Sequence, residues 1–260
     1  MIYGLYLSAS GVMTNSYRQD VIANNIANAE TVGFKKDLAL FDQRLTEAQQ
    51  RRLAASGTLS PTSRLLENLG GGLFAHPTSI DTGQGEFEPT GSPLDMAIEG
   101  DGFFAVKSAG AGGETRLTRN GQFAIDSTGH LTLSNAKGEQ VLDVEKQPVQ
   151  LEPGGDVRID KEGTVTQFGR PVARLGVFDV ADHSKLSKQG GTQIGYGGQD
   201  LQPATSATLH PEATERANVD SATELAALMD TQRQLEANAN MIRYQDQTLS
   251  KLVNEVGKIG

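Results

Sequence analysis

The sequence predicts a mixed α and β protein. Discontinuous terminal helices form a coiled coil, and a central all-β domain of short antiparallel strands hangs between them on extended linkers. Three patterns in the 260 residues carry that expectation. A heptad stripe runs unbroken from Leu225 to Val256. A weaker 3-4 rhythm occupies residues 3–29. Between them the period falls from 3.6 to 2, with frequent Gly turns. The expected layout is 1–45 for the N-terminal helix and loop, 46–90 for a linker and 91–182 for the β domain. A return linker comes next at 183–217, and the C-terminal helix takes 218–260.

The N-terminal stripe reads Leu5, Ser8, Val12, Asn15, Gln19, Ile22 and Ile26. Its ends are apolar and its middle polar, and polar seam residues fix register at a cost in stability. Gly11 costs a further ~1 kcal/mol relative to Ala. Such a helix spans about 39 Å and is marginal alone. Asn24, Asn25 and Asn28, then Gly33, supply the stop. Asn is a weak helix former. This block either frays into a loop, or its amides bond across subunits or to the turn at Gly33-Phe34. Phe34 either anchors in a neighbour's pocket or packs within its own chain. Lys35-Lys36 reads as a solvated loop.

The first linker is rich in Gly, Pro, Ser and Thr, as at 56–61 and in Gly70-Gly71-Gly72. Arg51-Arg52 and Arg64 read as exposed charge. In the β region, Phe103-Phe104-Ala105-Val106 is a short strand. Asn120-Gly121 between 115–119 and 122–125 predicts a hairpin. A small repeat relates 125–132 to 159–166, where Asp opens each turn and Gly takes the left-handed position. A further strand is expected over 172–180. The return linker carries Gly190-Gly191 and Gly197-Gly198.

Ser221-Ala222-Thr223-Glu224 is a capping box that opens the last helix. Its stripe is Leu225, Leu228, Gln232, Leu235, Ala239, Ile242, Asp246, Leu249, Val253 and Val256, alternating steps of 3 and 4. That period predicts a left-handed supercoil. Gly257 and Gly260 end it, with Lys251 and Lys258 suited to a helix C-terminus. At ~36 residues the helix is about three times the mean length.

Apolar residues are 37% of the chain, below the usual ~45–50%. Aromatics are 5%, Gly is 30 residues and Trp is absent. The core is thin for the length. A net charge of -9 argues against nucleic acid. Without Cys there is no disulfide, thiolate zinc site or Cys nucleophile. No apolar run approaches the ~20 residues of a membrane span, and the N-terminus lacks the pattern of a cleaved signal peptide. His76, His130, His183 and His210 show no metal-ligand spacing and read as loop residues. Asp126 and Asp160 fit hairpin turns better than a calcium loop. Gly100-Asp101-Gly102-Phe103-Phe104-Ala105 fits a loose dinucleotide pattern but leads into a strand, so it reads as a tight turn. Catalytic, cofactor-binding and metal residues are therefore expected to be none.

Four blocks point one way. The first is 20–28 with Thr31-Val32-Gly33-Phe34-Lys35. The second is 84–106, from Gln84-Gly85-Glu86-Phe87 through Asp95-Met96-Ala97 to Gly102-Phe103-Phe104. The third is Thr118-Arg119-Asn120-Gly121-Gln122-Phe123. The fourth is Asn218-Val219-Asp220 with Gln232-Arg233 and Glu236-Ala237-Asn238. In this order they resemble the bacterial flagellar rod and hook protein family. The stretch 211–216 departs from the family pattern, lacking its Gly and the apolar residue ahead of Glu.

The resemblance implies an inner coiled coil made by both chain ends, an outer β domain, and many copies stacked in a hollow tube. It implies partners among copies of itself and other rod or hook subunits. It also implies passage through the flagellar export apparatus without a cleaved signal, and a place in the basal body. The length suggests a rod subunit. Gln232-Arg233 with Asn238 leans to the distal kind, and the ending 254–258 to the proximal kind. The expected assembly interface is Leu5, Val12, Ile22, Asn24, Asn25, Ile26, Asn28, Gly33, Phe34, Leu225, Leu228, Leu235, Ile242, Leu249, Val253 and Val256. The rival expectation is a free-standing β-rich envelope-binding module with a coiled-coil oligomerisation tail.

Overall fold

The computed structural model describes residues 2–43, 72–108, 113–135, 138–152, 154–204 and 206–256. The linker features at 56–61, Arg51-Arg52, Arg64 and Gly70-Gly71 lie outside the described residues, as do Gly257, Lys258 and Gly260. The chain divides into two compact units. The first takes Met1–Asn24, Leu38–Thr78 and Ala222–Gly260, and the second takes Asn25–Asp37 and Ser79–Ser221.

Helix α1 (Ile2–Ala27) and helix α2 (Ser221–Val256) supply the helical part of the first unit. A Cβ added at Gly4 would come within 2.7 Å of the Gln245 Nε2, and one at Gly11 within 2.6 Å of the Asn238 Nδ2. These contacts step seven residues forward on α1 and seven back on α2, so the helices run antiparallel there. Gly11 thus has a packing reason that offsets its poor propensity: it opens room for an amide. The inward face of α2 runs through the half-buried Leu228, Leu235, Asn238, Ile242, Gln245 and Leu249 and the buried Thr231. It shares Leu228, Leu235, Ile242 and Leu249 with the predicted stripe. At the alternate positions Thr231 and Gln245 stand inward, where the heptad pattern expects Gln232 and Asp246. The glycines of α1 accept polar side chains, and that rotates the face by one residue.

After α1 come β1 (Asp37–Leu38) and β2 (Phe41–Gln43). Strand β2 pairs with β3 (Leu73–Ala75), Phe41 opposite Ala75. The ribbon is bonded to α1. Ser10 Oγ donates to the Leu73 carbonyl and accepts from its N–H, both at 3.2 Å. Tyr17 Oη donates to the His76 carbonyl at 3.2 Å, and its ring meets Phe41 edge-on at 6.2 Å.

The second unit begins with β4 (Ser79–Ile80), β5 (Phe87–Pro89), β6 (Met96–Glu99) and β7 (Phe103–Lys107). Then come β8 (Thr115–Thr118), β9 (Phe123–Ile125), β10 (Leu131–Leu133) and β11 (Gln140–Val141). Next are β12 (Val157–Ile159), β13 (Thr164–Gln167), β14 (Arg170–Arg174) and β15 (Val177–Asp179). The last are β16 (Ser187–Lys188), β17 (Gln193–Gly195), β18 (Gln202–Pro203), β19 (Thr208–Pro211) and β20 (Ala213–Glu215).

The main sheet runs β16-β17-β8-β7-β11-β10-β9, with β15 also on β7 and β18 on β15. Every pairing recorded in it is antiparallel. Strand β7 is central and buried on both faces. Successive side chains point to opposite sides of a strand. So Phe104 and Val106 enter one core with Met96, Ile98, Leu131 and Val165. Phe103 and Ala105 enter a second with Leu117, Phe178 and Ile194. A separate sheet orders β12-β13-β14, while β19 pairs with β6 and β20 with β5.

Both Asp-opened turns form as predicted. Asp126 Oδ1 accepts from Thr128 N and His130 N, and Asp160 Oδ1 from Glu162 N and Thr164 N. The His130 N–H, then Thr128, hold the Asp126 carboxyl below its ordinary value. The Asn120-Gly121 hairpin does not form. Strand β8 pairs with β7 and β17, and β9 with β10. Gly121 instead lies against the Met96 backbone, where a Cβ would collide with the carbonyl oxygen, and its own carbonyl accepts from Met96 N at 3.0 Å. The expected strand over 172–180 breaks at Leu175-Gly176, because β14 stays with β13 while β15 crosses to β7. Residues 183–217 are woven into sheets through β16 to β20, so the return is more than a linker. The histidines are not bare loop residues. His210 lies in β19 and bonds Glu99 at 2.6 Å, and His183 bonds Asp179 at 2.9 Å.

Candidate functional site

Three charged side chains from distant parts of the sequence meet in the interior of the second unit. Lys35 comes from the loop after α1, Arg119 from the residue after β8, and Glu215 from the end of β20. Their exposures are 2%, 2% and 0%. Lys35 Nζ lies 2.6 Å from Glu215 Oε1, and Arg119 Nη1 lies 3.2 Å from Glu215 Oε2. The expectation that Lys35-Lys36 is a solvated loop is therefore corrected for Lys35. Only Lys36 stays partly open, pairing with Asp81 at 3.4 Å.

Backbone groups complete the cluster. Lys35 Nζ donates to the Gly83 carbonyl at 2.7 Å, and Gly85 N donates to Glu215 Oε1 at 2.8 Å. Arg119 donates to the carbonyls of Ile98 at 3.3 Å and Gly100 at 2.6 Å. Its guanidinium stands 5.1 Å from the Phe103 ring centre. Gln84 clamps the same strand, donating to Ile98 O and accepting from Gly100 N. Buried charge is tolerable only with such partners. Burial pushes the Lys35 pKa down, and the Glu215 carboxylate partly restores it.

Around this knot the loop 31–37 is fixed by its backbone. Gly33 has φ +67, and a Cβ there would strike the Asn120 backbone nitrogen. Only Gly suits both demands. Gly33 N donates to the Glu215 carbonyl at 2.7 Å. Phe34 is 1% exposed, with Lys188 Nζ 3.5 Å above its ring. Lys188 also pairs with Asp37 at 2.9 Å. Burial lowers its pKa, and Asp37 opposes that shift. Asn25 and Asp37 exchange two bonds of 2.9 Å, from Nδ2 to the carbonyl and from the N–H to Oδ1. Asn218 works alike: Lys36 N donates to its Oδ1 at 2.7 Å, while its Nδ2 donates to the Asp81 and Gly83 carbonyls.

The predicted site residues separate into two groups. Asn25, Gly33 and Phe34 are buried in the second unit, within their own chain. Ile22 is buried on α1, and Leu5, Val12, Ile26 and Asn28 are half-buried, while Asn24 is exposed. On α2, Leu228, Leu235, Ile242 and Leu249 are half-buried. Leu225 is 53% and Val253 70% exposed, and Val256 ends the helix. Sequence reasoning gave Arg119 and Glu215 no role. A signal existed for Arg119, the one charge in the block Thr118–Phe123; Glu215, beside Arg216, carried none. Among the described residues no cluster of His, Asp and Glu is arranged to hold a metal, and no helix is long and apolar enough to cross a membrane.

Long helices flanking a β domain, with a buried knot of three charged side chains inside that domain, are the build of a structural subunit. Family comparisons agree. Residues 5–35 match the flagella basal body rod protein model, and 97–167 match the flagellar hook protein FlgE/F/G D1 domain. Residues 210–255 match the C-terminal model of the flagellar basal body rod FlgEFG proteins. Flagellar basal-body rod protein FlgF of Caulobacter vibrioides is 32% identical, over 98% of this chain and 98% of its own. FlgG of Bacillus subtilis is 31% identical, over 98% and 99% respectively. FlgG of the same Caulobacter is 32% identical, over 94% and 96%. The chain belongs to the flagellar basal-body rod protein family. Each of the three matched segments contributes one member of the knot: Lys35, Arg119 and Glu215.

Proposed function

We propose that this rod subunit stacks with further copies of itself, and with other rod and hook subunits, into a hollow helical tube that carries torque to the hook. The observation behind this reading is the apolar surface that α2 leaves uncovered by its own chain. Leu225 and Val253 stand open at heptad spacing beside the half-buried Leu228, Leu235, Ile242 and Leu249. A head-to-tail contact that does not close builds an open filament. On this reading α1 and α2 form the coiled-coil layer. Leu5, Val12, Ile22, Asn24, Ile26 and Asn28 join α2 in the interface.

Asn25, Gly33 and Phe34, buried within the second unit, stand outside that contact. Residues 25–37 and the segment up to Ser221 both belong to the second unit. Both stretches are tied to the knot, through Asn25, Lys35, Glu215 and Asn218. The role is structural rather than enzymatic, and delivery is through the flagellar export apparatus.

The test is Leu235→Asp and Ile242→Asp in the full chain. Both should abolish filaments in electron micrographs while the β domain still melts cooperatively. Normal filaments from both variants would refute the interface. Images of the wild-type particle also separate proximal from distal position.

A further inference from the structure

We infer that residues 33–36 and 215–218 form a mechanical clasp, which resists tension along the chain and shields the β sheets enclosed between them. The inference concerns the second unit alone and goes beyond the assembly reading. The chain passes between the two units at 24–25, 37–38, 78–79 and 221–222. The three segments beside those crossings, 25–37, 79–86 and 215–221, meet in one place. The strands from β5 to β19 lie between the last two in sequence.

Four links join the first segment to the last. Gly33 N donates to the Glu215 carbonyl at 2.7 Å, and Asn218 N donates to the Phe34 carbonyl at 3.4 Å. Lys36 N donates to Asn218 Oδ1 at 2.7 Å, and Lys35 Nζ to Glu215 Oε1 at 2.6 Å. Gly33 thus faces Glu215, and three residues further on in both segments Lys36 faces Asn218. The two segments run parallel. Tension applied before residue 33 and after residue 218 pulls them in opposite senses along their common axis. All four links then carry load together, in shear.

The middle segment is laid the other way. Asn218 Nδ2 donates to the Asp81 and Gly83 carbonyls at 3.0 and 3.1 Å. Gly85 N donates to Glu215 Oε1, and Arg216 N to the Glu86 carbonyl, each at 2.8 Å. Residues 81–86 are therefore antiparallel to 215–218. Tension applied before residue 79 and after residue 218 enters at one end of that pair and peels its links in turn. Phe34, Lys35 and Glu215 are buried, so water cannot replace a link of the clasp as it stretches, and the dry surroundings strengthen each bond. Forced unfolding is governed by the unfolding rate. A cluster that only stabilised the fold would resist tension alike in both geometries. This one resists it in shear.

The chain has no Cys, so two introduced cysteines fix the pulling points. The experiment stretches single full-length molecules in optical tweezers. Handles at Ala27→Cys and Ala222→Cys shear the clasp, and handles at Thr78→Cys and Ala222→Cys peel it. Ala27 and Ala222 are exposed and Thr78 is half-buried, so each pair should leave the thermal melt unchanged. At one fixed load the second unit should survive at least about tenfold longer in shear, because two or more hydrogen bonds must be lost together. Asn218→Ala should shorten the shear lifetime roughly fivefold or more, the worth of one such bond. Resistance that came from the helices instead would not respond to Asn218. Equal lifetimes in the two geometries overturn the inference, and so does an Asn218→Ala chain as durable in shear as wild type. Single molecules do not assemble, so either failure leaves the rod-subunit reading untouched.

Discussion

Glu215 holds two buried cations at once, which makes it the residue on which the second unit is most exposed to mutation. Glu215→Gln keeps the volume and removes the charge. Lys35 and Arg119 would then face a neutral amide in a site closed to water. Removing one partner of a buried pair costs about 3–5 kcal/mol. The urea midpoint of the β domain should fall accordingly, and an unchanged midpoint would show that the knot contributes nothing to stability. The cluster was illegible in the sequence for a physical reason. Lys35 and Glu215 are 180 residues apart, and Arg119 and Glu215 are 96 apart. Local pattern carries no information on partners at that range, so Lys35 reads as a solvated charge. The blocks that announce the family were legible. That they build one interior site, with Phe34 packed in its own chain, required the folded geometry.

At the scale of elements, features set by local chemistry could be read, and features set by distant contact could not. The turns at Asp126 and Asp160 form from side-chain-to-backbone bonds a few residues long. Asn120-Gly121 carries a hairpin dipeptide, but the Met96 backbone claims Gly121 and the flanking strands find other partners. The α2 stripe is legible at Leu228, Leu235, Ile242 and Leu249. Thr231, Asn238 and Gln245 escape it, because an apolar count cannot foresee amides seated over Gly4 and Gly11. Gly11→Val should therefore lower the melting temperature of the helical circular dichroism signal. Asn238→Ala in the same chain should recover part of the loss. The coupling of the pair should be at least about 0.5 kcal/mol if they touch; additive effects would separate them.

For the whole molecule, likeness to both FlgF and FlgG at similar identity places the chain within the rod family without ranking the two kinds. Long helices with polar seams are marginal until packed. The dilute chain should therefore show weak helical circular dichroism that grows on assembly, and a monomer fully helical at low concentration would sink that idea. The register of α1 on α2 has one more consequence. With Gly4 opposite Gln245, two further residues bring the start of α1 level with Gln247. Helix α2 continues to Val256. On its final turns Val253 lies open, 70% exposed. In the assembly proposed above, this open apolar end serves like a cohesive end on cut DNA, the place where a neighbouring subunit's helix anneals.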